Sequence, residues 1–141
     1  MLRGLLSALI VCVVATACGG GSAPFDRWTP GQAVEAFKAA GLEAENVRPM
    51  TKVDYGLAPM VAEEGVRFFI PSLCADCGGR LLRFDNQAGL EKTRDFYVKM
   101  GGESALLFSW TFVKDNVLVQ INGDLPEEQA RQYAKALSEL R

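Results

Sequence analysis

The stretch Leu106-Leu107-Phe108-Ser109-Trp110-Thr111-Phe112-Val113, then Lys114-Asp115-Asn116, then Val117-Leu118-Val119-Gln120-Ile121-Asn122 decides the fold. Two runs rich in β-branched and aromatic residues flank Asp115-Asn116, a pair suited to a two-residue hairpin turn. Folding the chain about that turn sets Phe112 opposite Val119 and Trp110 opposite Ile121 on one face. On the other face Thr111 meets Gln120 and Ser109 meets Asn122. Apolar partners fall together and polar partners fall together, as an antiparallel pair with one buried face requires. The spacing predicts strands over 106–113 and 117–122.

Helical signals lie to either side of this hairpin. After it, Asp124 reads as an N-cap with Pro126 and Glu127 in the first turn, and Ala130, Tyr133, Ala134, Leu137 and Leu140 recur at helical spacing. Before it, Leu90, Phe96, Tyr97 and Met100 mark a helix over about 87–100 that Gly101-Gly102 should end. A third helix opens with Thr29 as N-cap, Pro30 at its first position and Gln32 completing a capping box; Gly41 is its stop. Its apolar stripe is Ala33, Val34, Phe37 and Ala40.

A second hairpin is expected to join Val66–Ser72 to Arg80–Asp85 through the loop Leu73–Gly79, and 46–50 reads as an edge strand because it holds Pro49. The strands arrive as adjacent antiparallel pairs. The expected fold is therefore α+β, an antiparallel sheet of four to five strands built from hairpins with three helices covering one face. No strand alternates with helix in the βαβ manner, which argues against a dinucleotide-binding arrangement.

Composition narrows the function classes. The 141 residues are 49% hydrophobic and 23% charged, a balance that supports a packed core in one domain. Fifteen Lys and Arg against seventeen Asp and Glu give a net charge of −2, without the clustered basic footprint that nucleic acid requires. There is no histidine, so Ser-His-Asp and Cys-His catalysis and His-ligated zinc are excluded. No residue is assigned a catalytic or metal-binding role, and no cofactor is expected.

Cys74-Ala75-Asp76-Cys77 admits several readings. Four residues bearing two thiols can be a redox couple, half of a metal site, a structural disulfide or free thiols. Redox couples place the first cysteine at a helix N-terminus, whereas here Gly78-Gly79 and a strand-like Arg80-Leu81-Leu82-Arg83-Phe84 follow. A zinc site needs three or four ligands, and no second pair exists to supply them. An oxidising compartment would favour a disulfide between Cys74 and Cys77.

The compartment is argued from the N-terminus. Arg3 precedes an apolar run over 5–17, too short to span a bilayer, since a spanning helix takes roughly 20 residues. Cys18 follows, and then Gly19-Gly20-Gly21-Ser22-Ala23-Pro24, a composition that suits a leash. Ala15-Thr16-Ala17-Cys18 resembles the lipobox of bacterial lipoproteins, with Ala15 where that family most often carries Leu. The resemblance implies diacylglyceryl transfer to the Cys18 thiol, cleavage before it, and acylation of the new amine. Residues 1–17 would then be a lipoprotein-type signal peptide, 18–25 the acylated cysteine and its leash, and 26–141 one compact domain. Two other readings remain open: a secretory cut after Ala17 that releases a soluble protein, and an uncleaved anchor helix extended to Leu2.

The mature domain is also similar to small exported bacterial lipoproteins without assigned activity. The similar stretches are Arg48-Pro49-Met50-Thr51-Lys52, Phe69-Ile70-Pro71-Ser72-Leu73 with Gly78-Gly79-Arg80, and Val119-Gln120-Ile121-Asn122-Gly123-Asp124-Leu125-Pro126. This resemblance implies an envelope protein and carries over no active-site residue.

Two segments are candidates for contact with a partner. Residues 51–65, with Lys52, Asp54 and Tyr55 among flexible and polar neighbours, form a long loop of the kind that often carries function. The Cys74–Arg80 loop is expected beside it. Lys52, Tyr55 and Arg80 are the candidate partner-binding residues. Gly78-Gly79-Arg80 could also present N–H groups and a cation to an anion, the plainer reading being a tight loop. Phe108 and Trp110 read as core. The expected function is a lipid-anchored, non-enzymatic cell-envelope module binding a protein or small ligand. It would sit on the non-cytoplasmic side of the cell membrane or outer membrane. The alternative is an envelope thiol–disulfide protein using Cys74 and Cys77.

Overall fold

A computed structural model describes residues 25–141. The signal peptide, Cys18 and residues 19–24 of the expected leash lie outside the described residues. The elements run α1 (Pro30–Ala39), β1 (Glu45–Pro49), α2 (Lys52–Tyr55), β2 (Glu64–Phe69), β3 (Gly78–Arg83), α3 (Gln87–Glu103), β4 (Ser109–Lys114), β5 (Val117–Asn122) and α4 (Glu127–Ser138). A single 3₁₀ turn over Ala105–Leu107 links α3 to β4. The five strands form one antiparallel sheet in the order β1-β2-β3-β5-β4. This is the expected α+β class.

The β4–β5 hairpin has the register its polarity pattern demands, with Phe112 opposite Val119, Trp110 opposite Ile121, Thr111 opposite Gln120 and Ser109 opposite Asn122. Its turn does more than reverse the chain. The Asn116 side chain accepts from the Trp28 backbone N–H at 2.8 Å and donates to the Trp28 carbonyl at 2.9 Å. Trp28 Nε1 donates to Asp115 at 2.7 Å. The segment entering α1 is thereby fastened to the turn end of the sheet.

The helices are placed differently from the expectation. α1 and α4 cover one face, where Phe37, Phe68, Leu81, Val119, Ile121 and Tyr133 make the larger core. α3 and α2 cover the other, around Leu82, Phe84, Leu90, Tyr97 and Leu118. The physical reason lies in β3. Leu81 and Leu82 are consecutive, so they point to opposite faces, and both are wholly buried. A strand apolar on both sides needs cover on both sides.

Several boundaries also move. The β2–β3 pairing starts and ends earlier than expected, so Gly78 and Gly79 belong to β3 rather than to a loop. Gly79 lies opposite Phe68, whose ring covers it; an added Cβ would stand 2.4 Å from Phe68 Cζ. Gly78 is just as confined, since a Cβ would stand 2.1 Å from the Phe68 carbonyl oxygen. Helix α3 continues through Gly101-Gly102 to Glu103 rather than ending at them. In α4 the inward residues are Ala130, Tyr133, Ala136 and Leu137, and Pro126 rather than Asp124 is the N-cap. Phe108 leaves the core, because the 3₁₀ turn replaces the first residues of the expected strand. The Thr29–Gln32 capping box and the left-handed Gly41 after α1 are as expected.

Candidate functional site

The segment 51–65 begins with one turn of helix. Thr51 caps α2 and Asp54, three residues on, accepts from the Thr51 backbone N–H at 2.7 Å. The same carboxylate takes a two-pronged contact from Arg48 of β1, each oxygen at 2.8 Å. Those hydrogen bonds, led by the Arg48 guanidinium, hold the Asp54 carboxyl far below the usual carboxylate range. The far side of α2 is tied to the sheet by Arg80 of β3, whose Nε donates to the Asp54 carbonyl.

Arg80 stands in a row that crosses four strands. Arg67 is its partner on β2, Arg48 pairs with Arg67 from β1, and Gln120 pairs with Arg80 from β5. Like charges directly opposite one another are ordinarily unfavourable. Arg67 relieves this by donating to the Gly79 carbonyl at 2.8 Å and the Asp76 carbonyl at 2.9 Å, which also pins the loop bearing the cysteines. Burial, and then the nearby Arg80 charge, lower the Arg67 pKa. Arg80 Nη1 donates to Gln120 Oε1 at 2.6 Å.

Beside this row a cleft of about 360 Å³ opens between α2, the end of α3 and the 3₁₀ turn. Arg80 and Gln120 are at its polar wall, with Gln120 only 6% exposed. Tyr55, Tyr97 and Phe96 contribute aromatic walls. Leu57 and Leu106 stand on its rim at 85% and 95% exposure. Tyr97 is 8% exposed, and its hydroxyl has no hydrogen-bond partner among the described residues. Burial raises the Tyr97 pKa, against the opposing pull of Arg80, so the hydroxyl stays a neutral donor.

Of the sequence-predicted residues, Tyr55 and Arg80 come together in this cleft. Lys52 does not join them: it is exposed on α2 and outside the lining. Gln120, Tyr97, Phe96, Leu106 and Phe108 are site residues that sequence reasoning assigned to sheet or helix packing.

Cys74 and Cys77 are joined, with sulfurs 2.03 Å apart and Cα atoms 5.0 Å apart. Cys74 is exposed and Cys77 buried, and the pair leads into β3 rather than into a helix. Its place is the β2–β3 loop, at the same end of the sheet as Asn122. Among the described residues no three His, Cys, Asp or Glu side chains cluster to hold a metal ion. No described helix is long and apolar enough to cross a membrane.

Comparison with family models, with curated proteins and with solved structures found no match to this chain.

Proposed function

We propose that this chain is a lipid-anchored, non-enzymatic binding module of the bacterial cell envelope. Cys18 would carry the anchor, and the domain would face the non-cytoplasmic side. The anchor is supported by the placement of Cys18 after a short apolar run and before a glycine-rich segment. The binding role is supported by one feature above all: a cleft with a half-buried arginine at its wall and two leucines almost fully exposed on its rim. Scattered apolar side chains on a surface need no explanation, but a cluster around a concave polar site is the usual mark of a ligand surface.

A second reading, thiol–disulfide exchange, draws on the exposure of Cys74 beside a buried Cys77. It ranks below because no helix N-terminus lies at Cys74 to lower its thiol pKa.

Two measurements test the first reading. Intact mass of the membrane-extracted protein should show cleavage before Cys18 and an acyl addition, and Cys18→Ser should leave the membrane fraction. In cells, a photo-crosslinking residue at Leu106 should form adducts that one at Glu35, exposed on α1, does not form. Equal yields from both positions would remove the cleft as the binding surface.

A further inference from the structure

A second cavity adjoins the cleft. The two share Tyr97, Phe108 and Ser109 in their linings, and the second, of about 420 Å³, runs between the end of α3 and β4. Val98, Gly101, Gly102, Trp110 and Phe112 are among its lining residues, so it is largely apolar. Both volumes fall in the range of small-molecule sites.

Two consecutive glycines inside α3 call for a reason, because glycine is a poor helix former. Gly101 lets Phe108 approach; an added Cβ would stand 3.2 Å from its ring. Gly102 is different: a Cβ there would meet nothing within 4 Å. Both glycines are in the lining of the second cavity.

The wall of the first chamber is a set of donors. Arg80 uses Nε and Nη1 on Asp54 and Gln120, and its Nη2 has no partner among the described residues. Because Gln120 Oε1 accepts from Arg80, its amide nitrogen is left to donate. The Tyr97 hydroxyl is buried and unpartnered, and the Ser109 hydroxyl, between the two cavities, and the Thr111 hydroxyl, beside the second, are in the same state. Asp54 does not compete, since its carboxylate is held by Arg48 and Thr51. One cation with neutral donors on one side, and a hydrocarbon-lined chamber on the other, complement a molecule with a single negative head and an apolar tail.

We propose that the cleft binds a single-chain amphiphile with a carboxylate head. The head oxygens accept from Arg80 and Gln120, and the tail lies in the cavity lined by Gly101 and Gly102. This rests on the reading of the cleft as a binding site.

The test uses the full chain in its native membrane and three photo-reactive diazirine probes of equal length: a fatty carboxylate, the matching alcohol and the matching amine. Proteolysis and mass spectrometry read which peptides carry label. The carboxylate should label residues 96–112 at least about tenfold more than either analogue, the ratio expected for a charge-assisted hydrogen bond. Gly102→Leu should abolish labelling with the melting temperature unchanged or raised, because a side chain added in the cavity lining meets no protein atom within 4 Å of its Cβ. Alcohol or amine labelling equal to that of the carboxylate overturns the head-group assignment while the binding site stands. Labelling that survives Gly102→Leu overturns the placement of the tail. No labelling of 96–112 by any probe overturns both the ligand class and the cleft as a small-molecule site.

Discussion

Asn116 and Trp28, 88 positions apart, exchange two hydrogen bonds in which the asparagine amide takes the place of a neighbouring strand's backbone. Both Trp28 main-chain groups are satisfied by one side chain that is itself 99% buried, its relative exposure being 1%. Removing the amide would leave a buried N–H and a buried carbonyl without partners.

Asn116→Ala should therefore lower stability by about 2–4 kcal/mol, the sum expected for two orphaned backbone groups. The urea midpoint reads this directly. A change under about 0.5 kcal/mol, the ordinary surface range, would mean that the amide adds little to the Trp28 attachment.

Two glycine substitutions should move stability in opposite directions. Gly79→Ala places a methyl group 2.6 Å from the Gln120 carbonyl oxygen as well as against the Phe68 ring, so it should lose at least about 2 kcal/mol. Gly102→Ala enters open space inside a helix and should gain about 0.5–1 kcal/mol. Thermal melts of the two variants, run side by side, give the comparison.

The Cys74→Ser/Cys77→Ser variant should keep its fold and melt slightly lower. The loop closed by this disulfide is short, so the loss should stay below the roughly 3 kcal/mol of a 15-residue loop. An unchanged melt together with lost thiol-exchange activity would favour the redox reading.

Acid should loosen α2 from the sheet. The folded Asp54 carboxyl titrates below its unfolded value, chiefly because of Arg48. A depressed carboxylate stabilises the fold above the unfolded pKa, about 3.9, and that contribution is lost as pH falls further. Asp54→Asn should be less stable at pH 7 and should show a flatter stability profile below about pH 4. Parallel profiles for the two proteins would exclude Asp54 as the acid-labile group.

Alkali acts on the opposite face. Burial, and then the Glu43 charge, push the Tyr133 hydroxyl up to about 12, and that hydroxyl donates to the Glu43 carbonyl at 2.7 Å. A raised folded pKa supplies stability that is complete below the unfolded value near 10 and lost as pH climbs through the folded one. Tyr133→Phe should lose about 1 kcal/mol at pH 7 for the hydrogen bond and should lack part of the decline above about pH 10. Denaturant midpoints at pH 8 and pH 11 are sufficient.

The β4–β5 register was legible because a period of two ties every residue's face to its neighbour's, and a one-residue slip would have set polar against apolar. Helix α2 was not, because Lys52-Val53-Asp54-Tyr55 is too short to carry an apolar stripe. Its signal is the Thr51-x-x-Asp54 spacing alone. The second helical layer was hidden by Ser109, Thr111, Gln120 and Asn122, which look like a wet face; the adjacent, fully buried Leu81 and Leu82 were the sign that neither face is wet. Within the site, Tyr55 stood out in irregular sequence and Arg80 at the point where the cysteine loop enters a strand. Gln120 and Tyr97 fitted strand and helix patterns so well that nothing local set them apart.

The Trp28 attachment also fixes the polarity of the domain. It grips the Asp115-Asn116 bend, while Ser109, Asn122 and Gly123 border the cleft from the opposite pole of the same two strands. Five strand steps separate the poles, about 17 Å. A pull on Trp28 would thus be borne by the bend, at the end of the hairpin opposite the residues that border the cleft.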